Sequence, residues 1–208
     1  MPDKIKQFFS VAMVFGMAIF ILAMPARADQ VDFTHPAFAP AGGLTSIPVG
    51  ANDFCKAHKG ECTANPNAVA ASVLTDKRWE QLVEVNNLVN AAIVPVTDQD
   101  YYQVSEYWTY PDGYGDCEDF ALAKRKALID AGWNPSTLLM TVVRQPNGEG
   151  HAVLMVRTDR GDLVLDNQDG RILLWNETPY TYLKRQSQAD AGQWIDIVDK
   201  RATFVASK

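Results

Sequence analysis

The 208 residues hold only three cysteines and three histidines. So few cysteines cannot knit a disulfide-rich scaffold, and pairing two of them leaves one over. Basic clusters are also missing: 19 Lys and Arg stand against 25 Asp and Glu, for a formal net charge of −6. An acidic chain without a basic run is a poor partner for phosphate backbones, which argues against nucleic acid as a ligand. Internal repeats and low-complexity tracts are absent, so nothing points to a repeat array. Beyond the first thirty residues no segment is long and apolar enough to span a bilayer. What remains, 47% hydrophobic and 21% charged residues, is the balance of one folded globular domain.

The N-terminus reads as a leader. Lys4 and Lys6 give a positive start, and an apolar run follows from Phe8 to Met24. Its core, Val11 to Met24, is short for a membrane anchor, which needs about 20 residues. Pro25 breaks the run, and Ala26-Arg27-Ala28 has the small-x-small pattern of a signal peptidase site. Residues 1–28 are therefore expected to be a signal peptide cleaved after Ala28. No cysteine stands there for a lipid anchor. Export places the mature chain in a bacterial periplasm or outside the cell, where disulfides persist. Pro36, Pro40, Gly42, Gly43 and Pro48 suggest an extended arm over 29–53, leaving 54–208 as the domain.

The cysteines divide by context. Cys55 and Cys62 lie close in sequence, and an oxidising compartment favours a local disulfide, whose short loop contributes roughly 2–3 kcal/mol. Together with His58 they offer three metal ligands, whereas structural zinc takes four. Cys117 is left over, in Gly113-Tyr114-Gly115-Asp116-Cys117-Glu118-Asp119-Phe120-Ala121. The glycines make a turn and Asp116 is a suitable N-cap. Glu118 and Asp119 fill a first helical turn, and Gly132 ends the helix. Lys124, Arg125 and Lys126 fall toward the negative end of its dipole. At a helix start, unpaired N–H groups favour the thiolate, so a lowered thiol pKa is expected.

A thiolate needs a base, and the base an orienting group. His35 lies in the Pro-rich entry and His58 in the disulfide loop. His151 instead opens the strand Ala152–Arg157, after the flexible Pro146–Gly150. A turn at 159–162 leads to Leu163-Val164-Leu165 and then Asp166, a costly place for a carboxylate without a partner. In an antiparallel hairpin, opposed residue numbers have a constant sum. A two- or four-residue loop makes that sum odd, which puts His151 and Asp166 on one face and Asp169 on the other. A three-residue loop or a bulge would reverse the choice. Nucleophile, imidazole and carboxylate thus stand at three structural transitions, the arrangement of a Cys–His–Asp catalytic site.

These motifs, with Gly150-His151-Ala152-Val153-Leu154 and Leu165-Asp166-Asn167, resemble those of the bacterial transglutaminase-like cysteine proteinases, a family that includes the periplasmic LapG proteases. The resemblance extends to Trp79, Val85–Asn90 and Glu106–Pro111 upstream, and to Trp175, Tyr180 and Lys184–Ser187 downstream. It implies an α+β fold with a papain/transglutaminase-like core, a nucleophile helix packed against an antiparallel β-sheet. It also implies a cysteine peptidase with Cys117 as nucleophile, His151 as base and acid, and Asp166 as orienter. The implied substrate is a protein, for which a large surface adhesin is the family precedent, with a membrane-bound regulator as a further partner. A transglutaminase or amidase would use the same triad, and a non-catalytic calcium-responsive binding module is the remaining alternative.

Asp112, Asp116, Glu118 and Asp119 crowd carboxylates around the thiol and would oppose its ionisation. They either face solvent and cap the helix, or they hold a calcium ion. An EF-hand pattern is missing. The family resemblance favours calcium at Asp116, Glu118 and Asp119. The backbone N–H of Cys117 is the expected oxyanion donor, with the Trp108 indole as a weaker candidate for a second. The aromatic cluster Tyr101, Tyr102, Tyr107, Trp108, Tyr110 and Tyr114 reads as core packing or as a cleft wall. Elsewhere, a short helix is expected over Asn67–Leu74, and a longer one over Asp76–Ala92 capped by Thr75. Strands are expected over Leu138–Val143 and Arg171–Trp175.

Overall fold

The structure, a computed structural model, describes residues 31–201. The expected leader and its cleavage after Ala28 lie outside the described residues. The elements run β1 (Ala41–Thr45), α1 (Val49–Ala57), α2 (Asp76–Ala92), β2 (Val94–Pro95), α3 (Asp98–Tyr101), β3 (Tyr114–Gly115), α4 (Cys117–Asp130), β4 (Leu138–Arg144), β5 (Gly150–Thr158), β6 (Gly161–Leu165), β7 (Leu173–Leu174), β8 (Thr181–Gln186) and β9 (Trp194–Ile197). Among the described residues no helix is long and apolar enough to cross a membrane.

The fold is α+β, with helices packed on an antiparallel sheet. Seven antiparallel strands form one sheet in the order β1-β9-β8-β4-β5-β6-β7. Residues Ala152 to Val156 of β5 are all buried, which is why this segment reads as a continuous apolar run rather than an alternating one. One face packs Leu154, Val156, Leu138 and Met140 with Ala121, Leu122 and Leu128 of α4. The other face buries Val153, Met155, Leu139 and Val143 with Trp175, Tyr180 and Tyr182. α2 lies against α4. It starts where Thr75 accepts a hydrogen bond from the backbone N–H of Arg78, and it buries Leu82 and Asn86.

Of the arm expected over 29–53, the described residues 31–53 are more structured than an extended segment. From 41 onward they carry β1, which pairs with β9, and the start of α1. Residues 31–40 are tied down by Asp162, whose carboxylate accepts from Ala39 N at 2.8 Å and binds Arg157 at 2.8 Å. Asn67–Leu74 is not helical. Its backbone is drawn into tertiary bonds instead, with Ser72 donating to Arg157 O and accepting from Asp159 N. Arg171–Trp175 keeps only β7 as strand, because the chain turns at Trp175–Glu177.

Helix α4 departs from expectation in its basic residues. Only Lys126 lies outside, paired with Asp130 at 3.0 Å. Arg125 is buried, donating to Leu138 O and to Glu61. Lys124 is 1% exposed. Burial pushes its ammonium down to about 7, with the nearby Asp166 charge opposing. The unfolded chain keeps this proton up to about pH 10, whereas the folded chain keeps it only below about 7, so this group makes folding more favourable as pH rises between those values. Lys124→Met is expected to raise the melting temperature at pH 7 by roughly 5 °C. The gain should shrink at pH 9, and calorimetry at the two pH values showing no gain would refute this account.

Candidate active site

Cys117 occupies the first position of α4, where the chain leaves β3. Gly113 has φ of +105°, a conformation that favours glycine. Gly115 is needed for space: a Cβ there would come within 2.6 Å of the Asp119 carboxylate. Asp116 precedes the helix but does not cap it with its side chain. Its Oδ2 accepts from the backbone N–H of Asp98 at 3.2 Å instead.

The hairpin turn decides which carboxylate meets the imidazole. β5 and β6 pair Thr158 with Gly161 and Leu154 with Leu165 across the two-residue turn Asp159-Arg160, so opposed numbers keep the odd sum. His151 and Asp166 therefore share a face, and His151 Nε2 lies 2.9 Å from Asp166 Oδ1. Both side chains are buried. Asp169 goes elsewhere, pairing with Arg171 at 2.7 Å. Asp166 Oδ1 also accepts from Gln168 N at 3.0 Å, and Oδ2 accepts from the Tyr180 hydroxyl at 2.5 Å. Burial works to raise the Asp166 pKa, but the hydrogen bonds and charge of His151, together with those other donors, leave it below the ordinary value. With Nε2 on the carboxylate, the ring proton belongs there, and Nδ1 is the acceptor. The Gln168 side-chain amide stands 3.4 Å from it.

β6 pairs no further than Leu154, so the first residues of β5 run past the end of that ladder. There the N–H of Ala152 donates to Cys117 Sγ at 3.3 Å. Helix α4 is thereby pinned one residue from His151. The thiol itself donates to Glu118 Oε2 at 3.1 Å, and its two hydrogen-bond partners do not include His151. The expected low thiol pKa is not found in this arrangement. Burial first, then the Glu118 charge and hydrogen bond, push Cys117 well above its usual value. Glu118 is itself raised to about 10 by burial and by Asp116.

The acidic residues divide into two groups. Asp116 and Glu118 flank the Cys117 sulfur, and a second set gathers Asp98, Asp116 and Asp119, the ligand atoms of each set lying within 4.8 Å of one another. Asp98 Oδ1, Asp116 Oδ1 and Asp119 Oδ2 are buried without any hydrogen-bond partner. Asp119 is held up at about 7 by burial. Asp98 lies far from the Cys117 motif in sequence. It arrives because β2 and β3 pair in parallel, Val94 with Tyr114 and Pro95 with Gly115, and Val96 N bonds to Gly115 O. Asp98 is not among the residues expected from the sequence, because only this strand pairing brings it to Asp116 and Asp119.

Trp108 is buried, and its indole N–H donates to Glu106 at 2.5 Å, so it is engaged away from the sulfur. Tyr101, Tyr107 and Tyr114 are 41–49% exposed. Tyr101 stacks on Tyr114 at 5.4 Å, while Tyr110 packs on Phe54. The cluster thus supplies both core and surface. Cys55 and Cys62 form a disulfide.

The family model of the bacterial transglutaminase-like cysteine proteinases (BTLCP) matches residues 41–202. No curated protein matches the chain. Among solved structures the chain is similar to Legionella pneumophila LapG in a calcium-bound form, with 27% identity over 56% of this chain and 68% of that one, at a TM-score of 0.49. A second structure of Legionella pneumophila LapG also shows 27% identity, over 60% of this chain and 71% of that one, with a TM-score of 0.49. An EGTA-treated form shows 25% identity over 59% and 68%, with a TM-score of 0.48.

Proposed function

The chain belongs to the bacterial transglutaminase-like cysteine proteinases and is a cysteine peptidase, and from that premise we propose that it is a periplasmic endopeptidase working through Cys117, His151 and Asp166. One continuous set of contacts carries the reading: Sγ to Ala152 N, the adjoining His151, and His151 to Asp166. Nδ1 of His151 takes the thiol proton, and the sulfur attacks a peptide carbonyl. The same nitrogen then protonates the leaving amine, and water hydrolyses the thioester with His151 as base. Asp166 holds the ring with Nδ1 free. The N–H of Cys117, in the first turn of α4, has no intrahelical acceptor and is a donor for the developing oxyanion.

The three orphaned carboxylate oxygens fit a calcium ion, which takes hard oxygen donors at close quarters. Asp98, Asp116 and Asp119 would hold it, with Glu118 beside them. When bound, it supplies positive charge that offsets the carboxylates next to the thiol. By family resemblance the substrate is a protein, a surface adhesin being the precedent, and a membrane-bound regulator is the further partner.

The test is mass spectrometry of a peptide pool incubated with the mature chain, calcium and a labelled amine. New amino termini are expected, and none with His151→Ala. Amine incorporation without chain scission would replace hydrolysis by acyl transfer to an amine.

A further inference from the structure

Asp166 carries more donors than orienting an imidazole requires. Oδ1 serves His151 and Gln168 N, while Oδ2 faces the Tyr180 hydroxyl at 2.5 Å. Tyr180 stands just ahead of β8 and is 8% exposed. Its ring also tilts over His151, with centroids 5.4 Å apart and planes at 58°. One side chain therefore touches both members of the pair, by its oxygen on one and by its face on the other.

We infer that Tyr180 is a positioning residue for the proposed reaction, fixing the Asp166 carboxylate so that His151 is held with Nε2 as donor and Nδ1 as acceptor. The inference rests on the triad reading. A carboxylate bound only through Oδ1 can turn about its Cβ–Cγ bond, and an imidazole following it would swing Nδ1 away from the sulfur. A donor on Oδ2 stops that rotation, and a charge-assisted O–H···O bond is among the stronger ones available. Asn90 holds the same loop by donating from Nδ2 to the backbone oxygen of Asp166 at 2.9 Å, so backbone and carboxylate are braced separately. Tyrosine is also costly to bury unless its hydroxyl is bonded, and here the acceptor is the proposed orienter itself. Burial, then Asp166, push the phenol well above its ordinary pKa, so it stays a donor at any working pH.

Tyr180→Phe removes only the oxygen. It is expected to lower kcat about ten-fold, the factor one charge-assisted hydrogen bond carries, with KM unchanged. The ring ¹⁵N shifts of His151 should move from a single Nε2–H tautomer toward a mixture. Unchanged kcat and unchanged ¹⁵N shifts would overturn the proposal and leave Tyr180 as packing. If Tyr180→Phe lowers the melting temperature enough to obscure this, 3-fluorotyrosine at 180 keeps the ring and alters the donor. A displaced ¹⁵N signature with intact melting supports positioning, and an undisplaced one overturns it. Asp166→Asn separates the two levels: full activity in that variant would sink the triad itself, whereas Tyr180 can fail with Asp166 still required.

Discussion

Cys117→Ala is expected to reduce peptide cleavage by at least about 10³-fold, the scale on which removing a triad member acts. No other described cysteine can substitute, since Cys55 and Cys62 are joined to each other. The variant should still fold. Its helix start is held by Gly115, by the Asp116 contact to Asp98 N and by the packing of Ala121 and Leu122, none of which needs the sulfur. The thiol hydrogen bond to Glu118 adds a second expectation. Without metal, iodoacetamide should label Cys117 more slowly than a free thiol at pH 8, because burial and the adjacent carboxylate hold the proton on sulfur. Cleavage surviving Cys117→Ala, measured against wild type on the same peptide pool, would refute the peptidase mechanism outright.

Calcium is expected to raise the melting temperature, and chelation with EGTA to lower it and to abolish cleavage. A ligand that binds only the native state at a thousand times its Kd stabilises by about 4 kcal/mol. Asp98→Asn gives the expectation two signs. With one of three crowded carboxylates removed, the metal-free variant should be more stable than metal-free wild type by roughly 1–2 kcal/mol, because like charges at short range repel. In calcium the order should reverse, since the variant lacks a ligand. Titration calorimetry beside thermal unfolding checks both. Equal calcium affinity in Asp98→Asn and wild type would remove Asp98 from the site, and no heat in either would remove calcium.

Local features of the chain were readable because local rules govern them. Thr75 before Asp76–Ala92 is a cap whose bond to Arg78 spans three residues. Gly132 ends α4 with φ of +86° because the chain must turn left-handed there. The choice of Asp166 over Asp169 needed only the parity of a two-residue turn, which acts through neighbours in one hairpin. Lys124 is the counter-example. Its place among three basic residues suggests a solvated helix end, yet α4 lies between the sheet and α2 and takes Lys124 inside.

By itself the sequence determined helices α2 and α4, the β5–β6 hairpin and the order of a thiol, an imidazole and a carboxylate along the chain. Each follows from periodicity, capping or turn length within a few residues. Tertiary structure alone decided what surrounds the sulfur. Asp98 reaches Asp116 and Asp119 only through the parallel pairing of β2 with β3, and Tyr180 reaches Asp166 only because the chain returns ahead of β8 on the face away from α4. Burial then raises the pKa of Cys117, Glu118 and Asp119, since desolvation depends on which elements close over a group and not on its neighbours in sequence.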